Sequence, residues 1–310
     1  MPDSLKGRDF TSIRGWSRAE LETVLDLADE LKRTRSERRQ TDLLAGRSVG
    51  LIFKKPSTRT RVSFEVGVDE LGGSPLHLTD DLQLARGESL RDTAYVLSRY
   101  LDAIMIRTFA QADVDELAEH ASIPVVNGLT DEEHPCQALA DLMTMRERFG
   151  DLAGLRVTFV GDGNNVCVSL MQACSRFGVH FVAATPGDYQ PPAGEVEEAR
   201  AEAERSGGSI EVVPEAADAV AGARVLYTDA WTSMGQEAEH SARLHAFRGY
   251  AVTPRLVEVA APDAIVLHCL PAHVGEEIAE DVLYGPHSAV WDQAENRLHA
   301  QKALLALIVP

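Results

Sequence analysis

The chain has 310 residues, enough for two domains of ordinary size, and its 45% hydrophobic and 25% charged residues are typical of a soluble globular protein. The formal net charge of −18 argues against nucleic acid and against an anionic membrane surface as partners. No apolar run approaches the length of a membrane span, and the start Met1–Lys6 lacks an apolar signal segment. We therefore expect a cytoplasmic protein.

The predicted elements begin with a helix that starts at a capping box. Ser17 and Glu20 form the box, and apolar residues at helical spacing continue to about Arg39. Residues 48–53 then form a β-rich apolar run that predicts a strand. Apolar residues recur at helical spacing after residue 57, which predicts a second helix that ends at the Gly72-Gly73 pair.

A polar loop joins that strand to that helix, and we interpret it as an anion site. Residues 54–61 are Lys-Lys-Pro-Ser-Thr-Arg-Thr-Arg. Hydroxyl groups, guanidinium groups and the unpaired N–H groups of a helix start are the donors that a phosphate needs. A loop of solvated arginines is the alternative, but so many such side chains after one buried strand favour the anion site.

Helices and strands alternate through the rest of the first half. The expected helices span residues 88–100, 112–120 and 135–149, and the expected strands span 103–106 and 123–126, which end in Arg107 and Asn127. His134 stands directly before Pro135, a favourable first helical residue.

A turn-rich break at Gly150–Gly154 is the predicted domain boundary. In the second half, strands are expected at 155–160, 180–184, 224–227 and 264–267, and helices at 195–205 and 295–308. This alternation predicts an α/β protein with two domains, each a parallel β-sheet flanked by helices, and an active site in the cleft between them. The predicted domains are 1–149 and 150–291, with the C-terminal helix 292–310 packing back on the first.

Side chains suited to binding ligands follow the predicted strands. They are Ser57–Arg61, Arg107, Asn127, Asn165, Asp229 and Cys269. Ligands of open α/β sheets bind outside the carboxyl ends of the strands, so we expect these residues to mark the site.

The segment from Gly161 to Val166 partly matches a dinucleotide-binding fingerprint. It fails at the third glycine, where Val166 stands, and nucleotide binding is only weakly supported. Asn164 and Asn165 at a helix start would bind a carboxylate or act as an ordinary N-cap, and the spacing alone does not decide between the two.

An imidazole and a carboxamide are predicted on neighbouring turns of one helix start. His134 and Gln137 can both donate to a carbonyl oxygen, and Arg59 and Arg107 would complete an oxyanion-type pocket. A capping or packed histidine is the alternative.

Asp229 follows a predicted strand, and its carboxylate suits an ammonium group. The stretch Ser233-Met234-Gly235 that follows would be a mobile lid with a glycine hinge, or else an ordinary surface loop.

The four cysteines lack the spacing of a disulfide framework or of a zinc site, so we expect neither. Cys269 is a candidate nucleophile with His268 or His273 as its base, or else a small buried side chain. Neighbouring side chains on a strand face opposite ways, which disfavours a pair of Cys269 with His268.

Four motifs in series resemble the aspartate/ornithine carbamoyltransferases, over nearly the whole chain. Residues 57–61 resemble the carbamoyl-phosphate loop, and 134–137 resemble the second carbamoyl-phosphate motif. Asp229 with 233–235 resembles the ornithine-binding loop. His268-Cys269-Leu270-Pro271 resembles the signature of the ornithine branch, where the aspartate branch carries Pro-Leu-Pro. His273 departs from the Arg or Lys of many relatives.

The resemblance implies a role for each matching residue. The carbamoyl-phosphate set is Ser57, Thr58, Arg59, Thr60, Gln83, Arg107, His134, Gln137 and Arg297, and the ornithine set is Asn165, Asp229, Ser233, Met234, Cys269 and Leu270. Within these, Arg107, His134, Gln137, Asp229 and Cys269 would serve catalysis. Gln83 would reach a neighbouring subunit, which implies a homotrimer or a multiple of trimers.

The resemblance also implies the reaction. Carbamoyl phosphate would carbamoylate the δ-amine of L-ornithine, giving citrulline and phosphate for arginine biosynthesis, without a metal or cofactor. Residues 1–149 would bind carbamoyl phosphate and residues 150–291 ornithine. Two alternatives stay open: a carbamoyltransferase for putrescine or an N-acylated ornithine, and a non-catalytic regulator with the same fold.

Overall fold

The computed structural model describes residues 5–78, 87–232 and 237–310 as an α/β protein with two compact units. Met1–Met143 and Glu295–Pro310 form the first unit, and Thr144–Ala294 form the second. Each unit contains one parallel sheet with helices, which confirms the predicted fold class. Within the described ranges, no helix is long and apolar enough to cross a membrane. The assignment of 1–149 and 150–291 to different substrates stays a prediction.

The first unit has a four-stranded sheet with the order β2-β1-β3-β4. Its strands are β1 (Ser48–Phe53), β2 (Ser74–Leu78), β3 (Ala103–Arg107) and β4 (Val125–Leu129). Its helices are α1 (Arg18–Ser36), α2 (Thr58–Glu70), α3 (Leu90–Leu97) and α4 (Gln111–His120), and α5 (Pro135–Phe149) begins in this unit. Because β1 and β3 are neighbours while β2 lies outside β1, the strand order reverses between β1 and β3.

Sequence signals and packing agree in this unit. The N–H of Ser17 donates to Oε2 of Glu20, and Oγ of Ser17 accepts from the N–H of Glu20, so the predicted capping box starts α1. The central strands β1 and β3 bury Ile52 and Ile106 against Leu117 of α4. Each such side chain stabilises the fold by roughly 1.5–3 kcal/mol through its removal from water.

The strand predicted at 123–126 is shifted in the structure. β4 runs on through Gly128 to Leu129, and the β3–β4 register slips there, so that Arg107 pairs with Leu129. A Cβ atom at Gly128 would lie 2.4 Å from Sδ of Met105, so a larger residue at this irregularity would force the Met105 side chain to move. Asn127 is therefore a strand residue, and its amide donates to the carbonyl of Thr11. The predicted strand end at residue 126 is therefore wrong, whereas a role of Asn127 in the ligand site stays a prediction.

The second unit has a five-stranded sheet with the order β7-β6-β5-β8-β9. Its strands are β5 (Arg156–Val160), β6 (His180–Ala184), β7 (Ser209–Val213), β8 (Val225–Thr228) and β9 (Ile265–His268). Its helices are α6 (Asn165–Arg176), α7 (Ala193–Ser206), α8 (Ala216–Ala219), α9 (His240–Ala246), α10 (Pro254–Val257) and α11 (Glu280–Leu283), and α12 (Val290–Ile308) begins here. The strand order reverses between β5 and β8, where ligands of such sheets bind.

Two strands are absent from the sequence prediction, and both lie at the edge of a sheet. β2 and β7 are half-exposed along their length, and β2 contains Pro75. Such short edge strands lack the continuous apolar run of β1 or β3, so periodicity does not reveal them.

Candidate active site

The first unit carries a cluster of cationic and polar groups at the reversal point between β1 and β3. Ser57 caps α2, since its Oγ accepts the N–H of Thr60 at 3.2 Å. Arg107 is the last residue of β3 and pairs in register with Phe53 of β1. The first turn of α2 contains no acidic residue, so the positive end of the helix dipole is not offset there.

Two guanidinium groups converge on one hydroxyl. Oγ1 of Thr60 accepts from Nη1 of Arg107 at 3.4 Å and from Nη2 of Arg297 at 3.2 Å. All three side chains are buried, with 1%, 8% and 3% of their surfaces exposed. Arg297 comes from α12, about 190 residues after Arg107, so the fold assembles this pair from distant parts of the chain.

Arg297 also contacts α5 and its own helix. Its Nη1 donates to Oε1 of Gln137 at 2.8 Å. The amide of Gln301, in the orientation that satisfies both of its ends, accepts from Nε and Nη2 of Arg297. The other end of the Gln137 amide donates to Oδ1 of the fully buried Asp141 at 2.8 Å.

His134 lies inside this cationic cluster and is neutral. Burial lowers its pKa well below 6.5, and the positive charges of Arg297, Arg107 and Arg59 lower it further. Nη1 of Arg297 lies 3.5 Å from Nε2 of His134. A guanidinium group can only donate, so Nε2 accepts and the proton of the neutral ring lies on Nδ1.

Some cations of the loop at 54–61 face elsewhere. Lys55 is buried, pairs with Asp131 and lies over the ring of Phe109. Arg61 is half-exposed and pairs with Glu65 one turn along α2, at 3.0 Å. The cluster therefore uses Arg59, not Arg61, from this loop.

The second unit carries an acidic cluster at the reversal point between β5 and β8. Asp229 directly follows β8, and its Oδ1 accepts from the thiol of Cys269 at 2.9 Å. Its Oδ2 accepts from Nδ2 of Asn164 at 2.8 Å. Oδ1 of Asn164 meanwhile caps α6 by accepting the N–H groups of Val166 and Cys167. The N-cap interpretation is confirmed for Asn164, and Asn165 is the partly buried first residue of α6.

His268 does not activate Cys269. Its Nδ1 accepts the N–H of Leu270 at 2.8 Å, so the ring proton lies on Nε2, which donates to Oε1 of the buried Glu277 at 3.2 Å. Leu270 adopts a left-handed φ of 61°, which is unusual for a branched residue. His268 thus holds the backbone that follows Cys269.

A buried ion pair lies beside Asp229. Nη1 of Arg243 donates to Oδ2 of Asp162 at 2.6 Å and to the carbonyl of Trp231 at 2.9 Å. Burial raises the pKa of Asp162 to about 6, the charge of Asp229 raises it as well, and Arg243 opposes both. Arg243 therefore ties the end of β5 to the segment that follows Asp229.

Gly163 of the fingerprint-like segment serves packing. A Cβ atom at Gly163 would lie 2.2 Å from the backbone nitrogen of Pro191, so the chain itself fills the space beside this glycine. The N–H of Gly163 donates to the carbonyl of Tyr189. A dinucleotide phosphate has no room at this position.

Within the described ranges, two groups of residues have potential metal-ligand atoms within 4.8 Å of one another. One is Asp229, His268 and Cys269, and the other is His273, Glu276 and Glu277. In the first group both ring nitrogens of His268 are hydrogen-bonded, which leaves one thiol and one carboxylate, fewer than the ligands of a protein zinc site.

The structure brings most of the predicted residues together in two sets. The first unit groups Thr60, Arg107, His134, Gln137 and Arg297, with Ser57, Thr58 and Arg59 at the start of α2. The second unit groups Asp229 with Cys269, followed by Leu270. Gln83, Ser233 and Met234 lie outside the described residues.

Sequence reasoning missed two polar residues beside these sets, since Asp141 contacts Gln137 and Arg243 anchors Asp162. Asn164, which the sequence marked as a helix start, also contacts Asp229. Only Asp141 had a usable signal, since it lies one turn after Gln137 on the same helix face.

Comparisons with known proteins agree with this geometry. Residues 8–147 match the family described as "Aspartate/ornithine carbamoyltransferase, carbamoyl-P binding domain", and residues 153–308 match its "Asp/Orn binding domain". An ornithine carbamoyltransferase of Symbiobacterium thermophilum is 58% identical over 99% of both chains. One from Methanoculleus marisnigri is 53% identical over 97% of both.

Solved structures give the same result. The ornithine carbamoyltransferase from Pyrococcus furiosus superposes with a TM-score of 0.96 at 51% identity, covering 98% of both chains. That from Gloeobacter violaceus gives a TM-score of 0.89 at 46% identity, covering 98% of this chain and 99% of its own. With both of its domains matched and its relatives aligned from end to end, this chain belongs to the aspartate/ornithine carbamoyltransferase family.

Proposed function

We propose that this enzyme transfers the carbamoyl group of carbamoyl phosphate to the δ-amine of L-ornithine, giving L-citrulline and phosphate. The observation that supports the ornithine branch most directly is the hydrogen bond from Cys269 to Asp229, because it forms an amine-binding pair from a residue absent in the aspartate-branch motif. Relatives named ornithine carbamoyltransferase at 51–58% identity over nearly the whole chain support the same choice.

In this proposal the first unit binds carbamoyl phosphate. Ser57, Thr58, Arg59 and Thr60 hold the phosphate with the free N–H groups at the start of α2, and Arg107 joins them. His134, Gln137 and Arg297 contact the carbamoyl group. In the neutral His134 the ring proton lies on Nδ1, which would be the ring's donor to a carbonyl oxygen.

The second unit binds ornithine. Asp229 and Cys269 orient the side-chain amine, with the backbone of Leu270 beside them. Asn165 at the start of α6 binds the amino-acid end, together with Ser233 and Met234. The buried carboxylate of Asp229 gives this region a negative charge that suits a diamino acid, whereas Asp162 is paired with Arg243.

The chemistry is attack of the neutral δ-amine on the carbonyl carbon. A free alkyl ammonium has a pKa near 10 and is not nucleophilic, so binding must favour loss of its proton. Desolvation and nearby guanidinium groups both lower the pKa of an amine. The C–N bond forms and a tetrahedral oxyanion develops. The C–O bond to phosphate then breaks with its electron pair leaving on the phosphate, and the attacking nitrogen loses one proton to that phosphate. Each donor aimed at the oxyanion contributes roughly 3–4 kcal/mol to catalysis.

We further propose an anabolic role in arginine biosynthesis, because the relative from Pyrococcus furiosus carries the name "Ornithine carbamoyltransferase, anabolic".

We also propose that the protein forms a homotrimer, or a multiple of trimers, in which Gln83 reaches the site of a neighbouring subunit. Light scattering on the purified protein tests the assembly, since a trimer has three times the mass of the 33.7 kDa chain.

The deciding experiment incubates the purified protein with carbamoyl phosphate and, separately, L-ornithine, putrescine, N-acetylornithine and L-aspartate. Phosphate release and the carbamoylated product are both measured. Citrulline formed fastest from ornithine is the expected result. Faster turnover with another amine would mean that the residues assigned to ornithine bind that amine instead. Binding of carbamoyl phosphate without turnover of any amine would favour a non-catalytic regulator.

A further inference from the structure

We propose that Asp141 is a positioning residue that fixes the amide of Gln137, so that the site distinguishes a carbamoyl group from an acetyl group. The inference rests on the carbamoyl-phosphate half of the proposed function. Asp141 is not one of the residues that the family resemblance assigns to either substrate.

The geometry at one end of the amide is set by a buried carboxylate. Asp141 lies one turn after Gln137 on α5 and is fully buried. Its Oδ1 accepts from Nε2 of Gln137 at 2.8 Å. Because this oxygen accepts the hydrogen bond, it selects the NH₂ end of the amide.

The opposite end of the amide is set by a guanidinium group. Nη1 of Arg297 donates to Oε1 of Gln137 at 2.8 Å. A guanidinium only donates, so it selects the carbonyl end. Rotation of the amide by half a turn would place two donors against each other at Arg297 and two acceptors against each other at Asp141, and both hydrogen bonds would be lost.

This orientation determines which ligand group is favoured. Oε1 of Gln137 faces the cluster around Arg297 and Thr60. A carbonyl oxygen has two lone pairs, so it can accept from a ligand N–H as well as from Arg297. The NH₂ of a carbamoyl group supplies such a donor, whereas the methyl group of an acetyl group does not. A site built to accept an N–H rejects the analogue that lacks it far more strongly than a size difference alone would.

The test measures the dissociation constants of carbamoyl phosphate and acetyl phosphate by calorimetry, without ornithine. The variants are Asp141→Leu, which cannot accept a hydrogen bond, and Asp141→Asn, whose amide oxygen can. Glu70→Gln is the control, because it breaks an ion-pair network of the first unit with Arg35 and Lys302. Circular dichroism checks the folding of each variant, and Asp141→Ala replaces Asp141→Leu if the latter does not fold.

Wild type is expected to prefer carbamoyl phosphate, and Asp141→Leu to lower that preference at least about tenfold. Its affinity for acetyl phosphate should change by less than about threefold, since the phosphate contacts are intact, and Asp141→Asn and Glu70→Gln should keep the preference. Equal weakening of both ligands in Asp141→Leu would show a merely structural role. Loss of preference in Asp141→Asn would show that charge, not orientation, matters.

Citrulline formation by wild type is assayed separately. Because the binding assay omits ornithine, an absence of citrulline with an intact effect of Asp141→Leu would reject the proposed reaction and keep the positioning role. Citrulline formation, with the same preference for carbamoyl phosphate in wild type and Asp141→Leu, would keep the proposed reaction and reject the positioning role.

Discussion

The thiol of Cys269 donates a hydrogen bond to Oδ1 of Asp229, with 2.9 Å between the sulfur and the oxygen. Asn164 binds the other carboxylate oxygen from the start of α6. Asp229 is therefore held from two sides before any amine arrives. A carboxylate fixed in this way loses little further freedom on binding an amine, which is the condition for tight and oriented binding.

Replacement of Asp229 by Asn should remove most of the affinity for ornithine. The variant keeps the shape but loses the charge that attracts the diamino acid, and the loss of one member of a buried charge pair costs roughly 2–5 kcal/mol. We expect the KM for ornithine to rise about 100-fold or more, with little change in the dissociation constant of carbamoyl phosphate. Steady-state kinetics with ornithine and calorimetry with carbamoyl phosphate measure the two effects.

Asp263→Asn is the control for Asp229→Asn. Asp263 is an exposed aspartate of the same unit that pairs with Arg224, and its replacement should leave both constants unchanged. An ornithine KM within about threefold of wild type in Asp229→Asn would contradict the assigned role.

Cys269→Ser should keep substantial turnover, within about tenfold of wild type, because a hydroxyl also donates to Asp229. Cys269→Ala removes the donor and should lower turnover further at a similar side-chain size. The comparison is made at saturating carbamoyl phosphate. A thiocarbamate adduct on Cys269 in wild type, seen by mass spectrometry together with complete inactivity of the serine variant, would assign a covalent role instead.

The placement of functional side chains at strand ends could be predicted because a parallel sheet gathers those ends at one edge. Arg107 ends β3, Asp229 follows β8 and Cys269 follows β9, as expected from short apolar runs followed by polar residues. The predicted end of β4 before Asn127 came too early, since the glycine after Asn127 continues the strand through an irregular register that no periodicity reveals.

Contacts between distant segments could not be predicted from local patterns. Arg297 lies on α12, whose residues 299–308 are all buried, and only family resemblance pointed to it, yet it contacts Thr60, His134 and Gln137. Asp141 was also missed, because a buried aspartate and an exposed one look alike in a helical sequence. Its importance depends on burial, which is a property of the tertiary structure.

Thr60→Val should weaken carbamoyl-phosphate binding about tenfold or more. The substitution keeps the shape but removes the oxygen that accepts from both Arg107 and Arg297, and hydrogen bonds to charged groups contribute roughly 1.5–3 kcal/mol. Calorimetry measures the change in affinity. Thr93→Val is a matched control, since Thr93 is also buried and its hydroxyl has no hydrogen-bond partner among the described residues. Equal losses in both variants would indicate a general packing effect.

The buried His134 should make the protein less stable in mild acid. Because burial and three arginines hold its pKa well below 6.5, the folded protein binds fewer protons there than the unfolded chain. The contribution of His134 to the free energy of unfolding should therefore fall as the pH drops below about 6.5, by up to about 1.4 kcal/mol per pH unit, until the folded-state pKa is reached. Above about pH 6.5 both the folded and the unfolded state hold a neutral imidazole, so His134 adds no pH dependence to the free energy of unfolding there.

His134→Gln should remove this contribution and flatten the profile. Urea unfolding of wild type and variant between about pH 5 and pH 8 measures the difference, which should shrink as the pH falls below about 6.5 and stay constant above it. The exposed His245 provides the control, since His245→Gln should leave the wild-type slope unchanged. Parallel plots of unfolding free energy against pH for wild type and His134→Gln would contradict this prediction. They would mean that His134 accepts a proton as readily in the folded protein as in the unfolded chain, so its pKa would not be lowered by burial and the three arginines.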